Sequence, residues 1–220
     1  MPVKSQRRSR GRPRASEGDR GETRRLILDA AAALIAERGY RGTTVNEMIA
    51  QADLSKGTFY WHFKSKEDVL LAVLEERVDG PVYELSEKLA SAPAERDMAP
   101  EASAQLLHLL ERGRETILLE REYELLAMRE PTLRVRYRKR QAALREALSA
   151  GLDARARQLG APQFSTPTAD VAAAYLTLGL GLAAEKLIDS EAVPDNLLGD
   201  IVALIYQGLV VRAERRPGDV

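Results

Sequence analysis

Cysteine is absent from this 220-residue sequence, and histidine occurs only twice. Without cysteine there is no disulfide framework, no thiolate metal site and no cysteine nucleophile. Two histidines are too few for an ordinary histidine-rich metal site, so we expect neither a metal nor a cofactor. Aromatic residues make up only 5% of the chain, whereas charged residues reach 30%. This composition is typical of a soluble helical protein rather than of a β-sandwich.

Long hydrophobic runs are also missing. The longest nearly apolar run, residues 171–184, has 14 residues, which is fewer than the roughly 20 that span a bilayer. The basic N-terminus has no apolar stretch behind it that would make a secretion signal. We therefore expect a cytoplasmic protein with no membrane partner. Several segments show the helix period and none shows the alternation of a strand, so the sequence predicts an all-α fold.

The net charge is zero because 33 basic and 33 acidic residues cancel, but the two signs are unevenly distributed. Residues 1–70 carry 14 Lys or Arg against 9 Asp or Glu, which makes +5, and the other 150 residues carry −5. The basic end is the part that would contact a polyanion. Its first 14 residues contain six basic residues, no acid and two prolines, and this predicts a flexible basic arm over residues 1–20.

A four-residue motif lies within this arm. The sequence Arg10-Gly11-Arg12-Pro13 is similar to the core of an AT-hook, whose two arginines lie along the floor of the narrow minor groove of A·T-rich DNA. Arg10 and Arg12 are therefore predicted DNA contacts. A merely disordered basic tail explains the same residues, and this alternative stays open.

Residues 21–66 show the pattern of three short helices. Apolar residues recur at the helix period up to Gly39, which is expected to end the first helix, near residue 38, with a left-handed cap. Thr44 and Glu47 form a capping box that begins a second helix, and Ser55 begins a third one of about two turns. Two short helices joined by a tight turn and braced by another predict a helix-turn-helix DNA-binding head.

Residues 23–74, with the run SKGTFYWHFKSKE, resemble the DNA-binding domain of the TetR family of bacterial transcriptional regulators. The resemblance extends over about 50 residues without a gap, and the quoted run is more specific than a bare helix-turn-helix pattern. Asp53 stands where the family usually has glycine in the turn, which is tolerable because aspartate adopts left-handed conformations more readily than most residues. Ile49 replaces the usual small alanine at the helix crossing.

The third helix has two different faces. By helical spacing Phe59 and Phe63 face inward, which leaves a tryptophan, a tyrosine and a histidine on or beside the opposite arc. Such residues are costly as plain surface but suit a DNA major groove; an aromatic cluster that packs the head against the rest of the chain is the alternative. The resemblance implies phosphate contacts from Thr44, Lys56, Tyr60, His62 and Lys66, and base contacts from Asn46, Gly57, Thr58 and Trp61.

Residues 67–215 are predicted to form a larger helical domain. The fourth helix should stop at Gly80 and Pro81, and further helices are expected near 82–90, 102–112, 114–129, 132–159, 168–189 and 194–213. The last two are apolar around much of their circumference, so each needs more than one packing partner. In the TetR family the last two helices form a four-helix dimer bundle. The resemblance therefore implies an interface that contains Leu178, Gly179, Leu182, Ile201, Leu204 and Ile205.

A binding cavity within this larger domain is the second expectation. Polar-tipped, soft or aromatic side chains on faces rich in leucine and alanine have the composition of a mostly apolar binding site, although core filling is the alternative for each of them. These candidate effector contacts are His108, Tyr123, Met128, Tyr137, Phe164 and Tyr175. The alternating basic run Arg134, Arg136, Arg138, Lys139 and Arg140 is expected to be a solvated helix face.

These observations predict a homodimeric transcriptional regulator, most simply a repressor. It would bind a palindromic operator with two heads about one helical turn, roughly 34 Å, apart or a multiple of that distance. A small and largely apolar effector would release it. A constitutive architectural DNA-binding protein without an effector is the alternative. An enzyme is not expected and no catalytic residue is assigned, because the chain has no glycine-rich phosphate loop and no paired carboxylates.

Overall fold

The computed structural model describes residues 17–93, 95–111, 114–160 and 166–214, and these ranges contain helices and no strand. The all-α prediction is therefore confirmed. The helices are α1 (Glu17–Gly42), α2 (Val45–Gln51), α3 (Lys56–His62), α4 (Lys66–Leu74), α5 (Gly80–Ser91), α6 (Ala99–Glu111), α7 (Arg114–Arg129), α8 (Pro131–Gln158), α9 (Thr168–Ile188) and α10 (Leu197–Glu214).

The short helices of the head begin where the sequence predicts them. The Thr44 hydroxyl accepts a hydrogen bond from the backbone N–H of Glu47, whose carboxylate accepts one from the backbone N–H of Thr44. Ser55 and Ser65 cap α3 and α4 in the same way, each accepting from the N–H three residues later. These side chains satisfy N–H groups that have no partner within the helix. Asp53 adopts a φ of 52°, the left-handed conformation expected in the turn between α2 and α3.

The end of α1 differs from the prediction. Gly39 has a φ of 74° and a ψ of 165°, which is an extended conformation of positive φ rather than a left-handed helical cap, and the chain continues for one further helical turn to Gly42. This conformation is essentially open only to glycine. It brings the backbone N–H of Tyr40 to 2.9 Å from Oε1 of Glu122 on α7. A Cβ at Gly39 would lie only 2.7 Å from that oxygen, so the close approach also requires glycine.

The predicted stop at Gly80 and Pro81 is wrong. Helical structure runs without interruption from residue 66 to residue 91, and the π-helical turn Glu75–Asp79 joins α4 to α5. Pro81 lies in the first turn of α5. A proline in a helix lacks an N–H group and clashes with the carbonyl group four residues earlier. The wider π-turn immediately before it changes the local hydrogen-bond pattern, so the helix continues.

Two clusters of buried side chains hold the helices together. The first contains residues of α1 to α4 together with residues of α7 and the beginning of α8, among them Met48, Phe59, Tyr123 and Leu133. The head is therefore packed directly on the larger helical part. The second cluster is built from α5 to α10. The predicted division into 1–20, 21–66 and 67–215 stays a prediction, and the boundary after residue 66 falls within the region of the first cluster.

Helix α9 is, by length and composition only, apolar enough to cross a membrane. The apolar run 171–184 by itself predicts a segment too short to span a bilayer. Helix α9 (Thr168–Ile188) extends beyond that run at both ends. Few of the residues of α9 are buried within one copy of the chain, and Leu187 and Ile188 are exposed apolar side chains. One such helix is weak evidence for a membrane span.

Candidate functional site

Helix α3 is held by two aromatic rings and leaves its other side open. Phe59 is fully buried and Phe63 is 6% exposed. The opposite side carries residues that the sequence predicts at a major groove. Of these, Lys56, Gly57, Tyr60 and Trp61 are exposed, and Thr58 and His62 are half-buried.

The two large aromatic residues of this face are not buried between the head and the rest of the chain. Trp61 is 65% exposed and Tyr60 is 55% exposed, so the alternative of an internal aromatic cluster is wrong. The His62 ring lies edge-on to Trp61 at a centroid distance of 4.6 Å, and the Arg20 guanidinium lies 5.7 Å from the Trp61 ring. Burial and the nearby charge of Arg24 lower the pKa of His62.

Position 57 has room for a larger side chain, so packing within the chain does not require glycine there. A Cβ added there would lie 3.8 Å from the Ser55 hydroxyl oxygen, an ordinary van der Waals distance. Gly57 is not one of the described glycines with a positive φ, so its backbone conformation does not require glycine either. An exposed glycine in the first turn of α3 therefore suits close approach of another molecule to the backbone.

Thr44 and Asn46, at the beginning of α2, are both exposed. The Thr44 hydroxyl is already engaged, because its oxygen lies 2.8 Å from Oε2 of Glu47 and accepts from the Glu47 N–H. The hydrogen bonds from Thr44 lower the pKa of Glu47. A phosphate contact by the Thr44 hydroxyl must therefore compete with an ionised carboxylate.

Lys66 is engaged inside the head. Its ammonium nitrogen lies 2.6 Å from the backbone oxygen of Tyr40 and 2.8 Å from that of Thr43. It also lies 3.8 Å from the centroid of the Tyr40 ring. Burial lowers the pKa of Lys66, and the charge of Glu67 opposes this effect. Lys66 thus joins the end of α1 to the beginning of α4, and its phosphate contact stays a prediction.

The structural role of Lys66 has a measurable consequence. We expect Lys66→Met to lower the free energy of unfolding by about 1–2 kcal/mol, because two charge-assisted hydrogen bonds are lost. Lys56→Met, at an exposed position, is the matched control and should change it by less than about 0.5 kcal/mol. Urea unfolding followed by circular dichroism measures both. Equal unfolding free energies for the two variants would contradict the assignment.

A buried ionic network lies where the π-turn Glu75–Asp79, α7 and α8 meet. Nε of Arg140 lies 2.9 Å from each carboxylate oxygen of Asp79, and Nη1 lies 2.8 Å from Oε1 of Glu120. The three side chains are between 2% and 5% exposed. Burial raises the pKa of Asp79, and the hydrogen bonds from Arg140 oppose this. The expectation that the basic run of α8 is a solvated face is therefore wrong at Arg140.

The larger of two described cavities has a volume of about 320 Å³. It lies between α5, α8, α9 and α10 and is closed on one side by the segment 95–99. Arg155 spans this segment, donating hydrogen bonds to the backbone oxygens of Ala92, Pro93 and Arg96. The apolar part of the wall includes Leu85, Leu89, Ala102, Leu148, Leu152, Val171, Val202 and Ile205.

The smaller cavity has a volume of about 130 Å³ and lies between α7, α8 and α9. Both members of the buried pair Glu120 and Arg140 line it, together with Tyr137, Leu144 and Tyr175. Tyr175 lines both cavities, and its hydroxyl lies 3.2 Å from the backbone oxygen of Ala102. Burial raises the pKa of Tyr137 to about 12, and the charge of Glu120 adds to this.

The predicted effector contacts fall into three groups. Tyr137 and Tyr175 line the cavities just described. Tyr123 is completely buried in the first cluster with its ring 5.8 Å from that of Tyr137, and Met128 is 62% exposed and lines neither cavity. The side chain of His108 and the whole of Phe164 lie outside the described residues, as do Arg10 and Arg12. Sequence reasoning missed Glu120, which has no local signal.

The predicted interface residues are also unevenly placed. Leu204 is 67% exposed, whereas Leu178, Leu182, Ile201 and Ile205 are half-buried. Gly179 is buried inside one copy of the chain, where an added Cβ would lie 3.5 Å from Leu198, so it does not belong to the exposed face of α9. That face instead carries Ala174, Thr177, Gly181, Glu185 and Ile188 at helical spacing.

Sequence comparisons with known proteins match the head of this chain and not the larger helical part. The family model described as bacterial regulatory proteins, tetR family, matches residues 27–73. Over 63 residues the chain is 36% identical to the fatty acid metabolism regulator protein of Bacillus subtilis (strain 168). That match covers 29% of this chain and 32% of the relative, so the chain aligns with about a third of the length of this curated protein.

Solved structures extend the similarity to most of the chain. The fold is similar to that of the SmeT–triclosan complex, with 26% identity and a TM-score of 0.60 over 84% of this chain and 91% of the other. It is also similar to the multidrug binding protein EbrR complexed with imidazole, with 26% identity and a TM-score of 0.58. The latter match covers 90% of this chain and 92% of the other.

Proposed function

Because this chain belongs to the TetR family of bacterial regulatory proteins, we propose that it is a cytoplasmic transcriptional repressor that binds a palindromic operator as a homodimer. A small organic effector releases it from the operator. The observation that carries the DNA-binding part is the exposed face of α3, with Gly57, Tyr60 and Trp61 beside a cap that presents backbone N–H groups.

Each head would insert α3 into the major groove. Trp61, Thr58 and the open backbone at Gly57 lie on the exposed side, where they would meet base edges and thymine methyl groups. Tyr60 and Lys56 would contact the phosphates on either side, as would Thr44 at the beginning of α2, where Asn46 would reach toward the bases. The basic arm would add affinity, and its AT-hook-like motif stays a prediction.

The exposed face of α9 supports a dimer. It combines the small residues Ala174 and Gly181 with Thr177, Glu185 and Ile188, the last of which is 83% exposed, and Leu204 of α10 adds a further exposed apolar side chain. Such a surface is unfavourable in water. A second copy related by two-fold symmetry would cover it with the same residues and would place two heads on one palindrome.

The larger cavity supports control by an effector. Its volume of about 320 Å³ lies at the lower end of the range for small-molecule sites, and its wall is mostly apolar with a few polar groups at one end. Two structural neighbours were solved with triclosan and with imidazole, which favours a small organic ligand. A ligand that binds the non-operator state more tightly would shift the equilibrium away from DNA. No catalytic step is proposed.

Operator binding is tested by selecting duplexes from a random DNA library with the full chain. We expect an inverted repeat to be enriched. On the selected duplex Tyr60→Ala should weaken binding about tenfold for each head, and hence about 100-fold for the dimer, because a phosphate hydrogen bond is lost twice. Fluorescence anisotropy at one fixed salt concentration measures this.

Tyr83→Ala is the matched control for that experiment, since Tyr83 is a similarly exposed tyrosine on α5. Its operator affinity should stay within about twofold of the native value. Loss of binding in both variants, or selection of sequences without symmetry, would contradict the proposed operator mode. A constitutive DNA-binding protein is the alternative, and it predicts that no small molecule raises the melting temperature with concentration.

A further inference from the structure

One arginine in the wall of the smaller cavity lacks a partner of opposite charge. Arg145 of α8 is half-buried and lines this cavity. Among the described residues no carboxylate oxygen lies within 4.0 Å of its nitrogen atoms, and it forms no side-chain hydrogen bond. None of these nitrogens belongs to the buried polar atoms without a partner, so they are accessible. A charged group that is partly removed from water favours a partner of opposite charge beside it.

The other charged residues of the wall are paired with one another. Arg140 binds Glu120 at 2.8 Å, and Arg121 binds Glu124 at 2.8 Å. Asp79 also binds Arg140, but it does not line the cavity. The wall contains three arginines and two glutamates, so its net charge is +1. The third arginine is therefore the cation whose charge no carboxylate of the wall offsets.

The paired charges and Arg145 occupy different ends of the cavity. Tyr137, Gln141 and Arg145 all line it and are spaced four residues apart, so they form a row about 12 Å long on one face of α8. Burial raises the pKa of Tyr137 to about 12, and the charges of the four paired residues act on this hydroxyl as well. Those four therefore lie near Tyr137, two turns away from Arg145. Gln141 forms no side-chain hydrogen bond among the described residues and adds a free amide one turn before Arg145.

Apolar side chains complete the wall beside this row. They come from three helices or turns and include Val82, Leu144, Leu176 and Leu180. The volume of about 130 Å³ exceeds by several-fold the roughly 10–15 Å³ that one water molecule needs. It is smaller than the roughly 300 Å³ at which sites for drug-sized molecules begin. The cavity therefore has room for a short alkyl chain with one polar group.

We propose that the smaller cavity binds a short organic carboxylate, whose oxygens accept hydrogen bonds from Arg145 and Gln141. The alkyl chain of the ligand lies against Leu144 and Leu176. A carboxylate matches the planar fork of a guanidinium group, and the two can form a pair of parallel, charge-assisted hydrogen bonds. Within the proposed function this names a ligand class for the protein, and it rests on that function only for the effect of the ligand on DNA.

The site is tested by titrating the full chain without DNA and detecting the ligand by NMR, at pH 7 and one fixed salt concentration. The probes are pentanoate, the neutral pentanamide of nearly the same shape, and pentylammonium as the cation. We expect pentanoate to bind at least about tenfold more tightly than pentanamide, because its hydrogen bonds to Arg145 are charge-assisted. Pentylammonium should not bind detectably at the same concentration. Equal binding of pentanoate and pentanamide, or no binding of pentanoate, would overturn the proposal.

Variants locate the binding to Arg145. Arg145→Gln should weaken pentanoate binding at least about tenfold and abolish the preference over pentanamide, whereas Arg145→Lys keeps the charge and should keep the preference. Arg138→Gln removes the same charge at an exposed position of α8 outside both cavities. It is the control and should change the affinity by less than about threefold, because solvent and salt screen its charge. An equal loss in the two glutamine variants, or a preference that survives Arg145→Gln, would overturn the assignment.

Sedimentation velocity distinguishes a ligand site from a contact with a second copy of the chain. We expect Arg145→Gln to remain a dimer. A dimer that is lost in this variant, together with a native chain that does not bind pentanoate, would assign Arg145 to the interface and overturn the site. If Arg145→Gln does not fold, Arg145→Lys and the ratio of the two probes on the native chain still decide.

Operator binding separates this proposal from the proposed function. If pentanoate binds as expected but leaves the operator affinity unchanged, the carboxylate site stands and its regulatory effect is wrong. If the native chain binds no operator at all, the proposed function fails, and the titration without DNA still tests the cavity.

Discussion

Arg140→Met is expected to lower the free energy of unfolding by about 3–5 kcal/mol, because it leaves two carboxylates buried without their cation. Asp79 and Glu120 are at most 5% exposed, so water cannot replace the guanidinium without opening the structure. The network joins α7 and α8 to Asp79, the last residue of the π-turn between α4 and α5. Urea unfolding at pH 7, followed by circular dichroism, measures the loss.

The pH dependence of this variant has a defined sign. Burial already raises the folded-state pKa of Asp79 against the opposing effect of Arg140, so without Arg140 it rises further above its unfolded value. The folded variant then binds more protons than the unfolded chain above the unfolded pKa of about 4. Its stability should therefore be greatest near and below that pH and should fall as the pH rises through the folded pKa. The deficit relative to the native protein should be smaller at pH 5 than at pH 7.

Arg136→Met is the matched control for Arg140→Met. Arg136 lies one turn earlier on α8 and pairs with Asp68 at 2.8 Å, but both side chains are about a third exposed. Such a pair contributes at most about 1 kcal/mol. A loss of similar size in the two variants, or a deficit that does not change with pH, would show that the buried network is not what holds these helices.

Gly181→Glu is expected to dissociate the dimer and to weaken operator binding by at least about 100-fold, because two linked heads gain about 10² to 10⁴ in avidity over one. Gly181 lies on the exposed face of α9, and an added Cβ would meet no atom within 4 Å inside the chain. The substitution therefore leaves the subunit intact, and replacing a helical glycine favours the helix. Sedimentation velocity and anisotropy on the operator measure the two effects.

Ala143→Glu places the same charge on an exposed position of α8 and is the control for Gly181→Glu. It should leave both the sedimentation coefficient and the operator affinity unchanged. Gly179 is a poor site for this test, since a charge there would disrupt the packing of α9 on α10 within one copy. If the Gly181→Glu variant remains a dimer, the interface does not include this face of α9.

Much of the head could be read from local signals. Capping residues act within three positions of the chain, so Thr44, Ser55 and Ser65 identify the beginnings of three helices without any tertiary information. The spacing of Phe59 and Phe63 identifies the inward side of α3 for the same reason. The exposed Tyr60 and Trp61 follow from that side, because the two faces of a short helix are opposite each other.

Most of the failed predictions involve contacts between distant segments. Pro81 is normally a stop signal, yet the π-turn before it lets the helix continue on the face of α8. Lys66 looks like a first-turn lysine with no internal partner, but the carbonyl groups of Tyr40, in α1, and of Thr43, just after it, lie 2.6 Å and 2.8 Å from its nitrogen. The sequence predicts that Gly39 ends the first helix in a left-handed cap. Its extended, positive-φ conformation instead accompanies the hydrogen bond from the Tyr40 N–H to the carboxylate of Glu122 on α7.

The sequence by itself determined the all-α class, the helix-turn-helix head and its exposed α3 face, because these depend on periodicity and capping within a few residues. It also indicated that the last two helices are too apolar for a single packing partner. Only the tertiary structure decided which apolar face of α9 is free, where the cavities lie, and that Arg140 is buried between Asp79 and Glu120. Those features depend on side chains 20 to 61 positions apart, and such juxtapositions leave no local pattern in a chain.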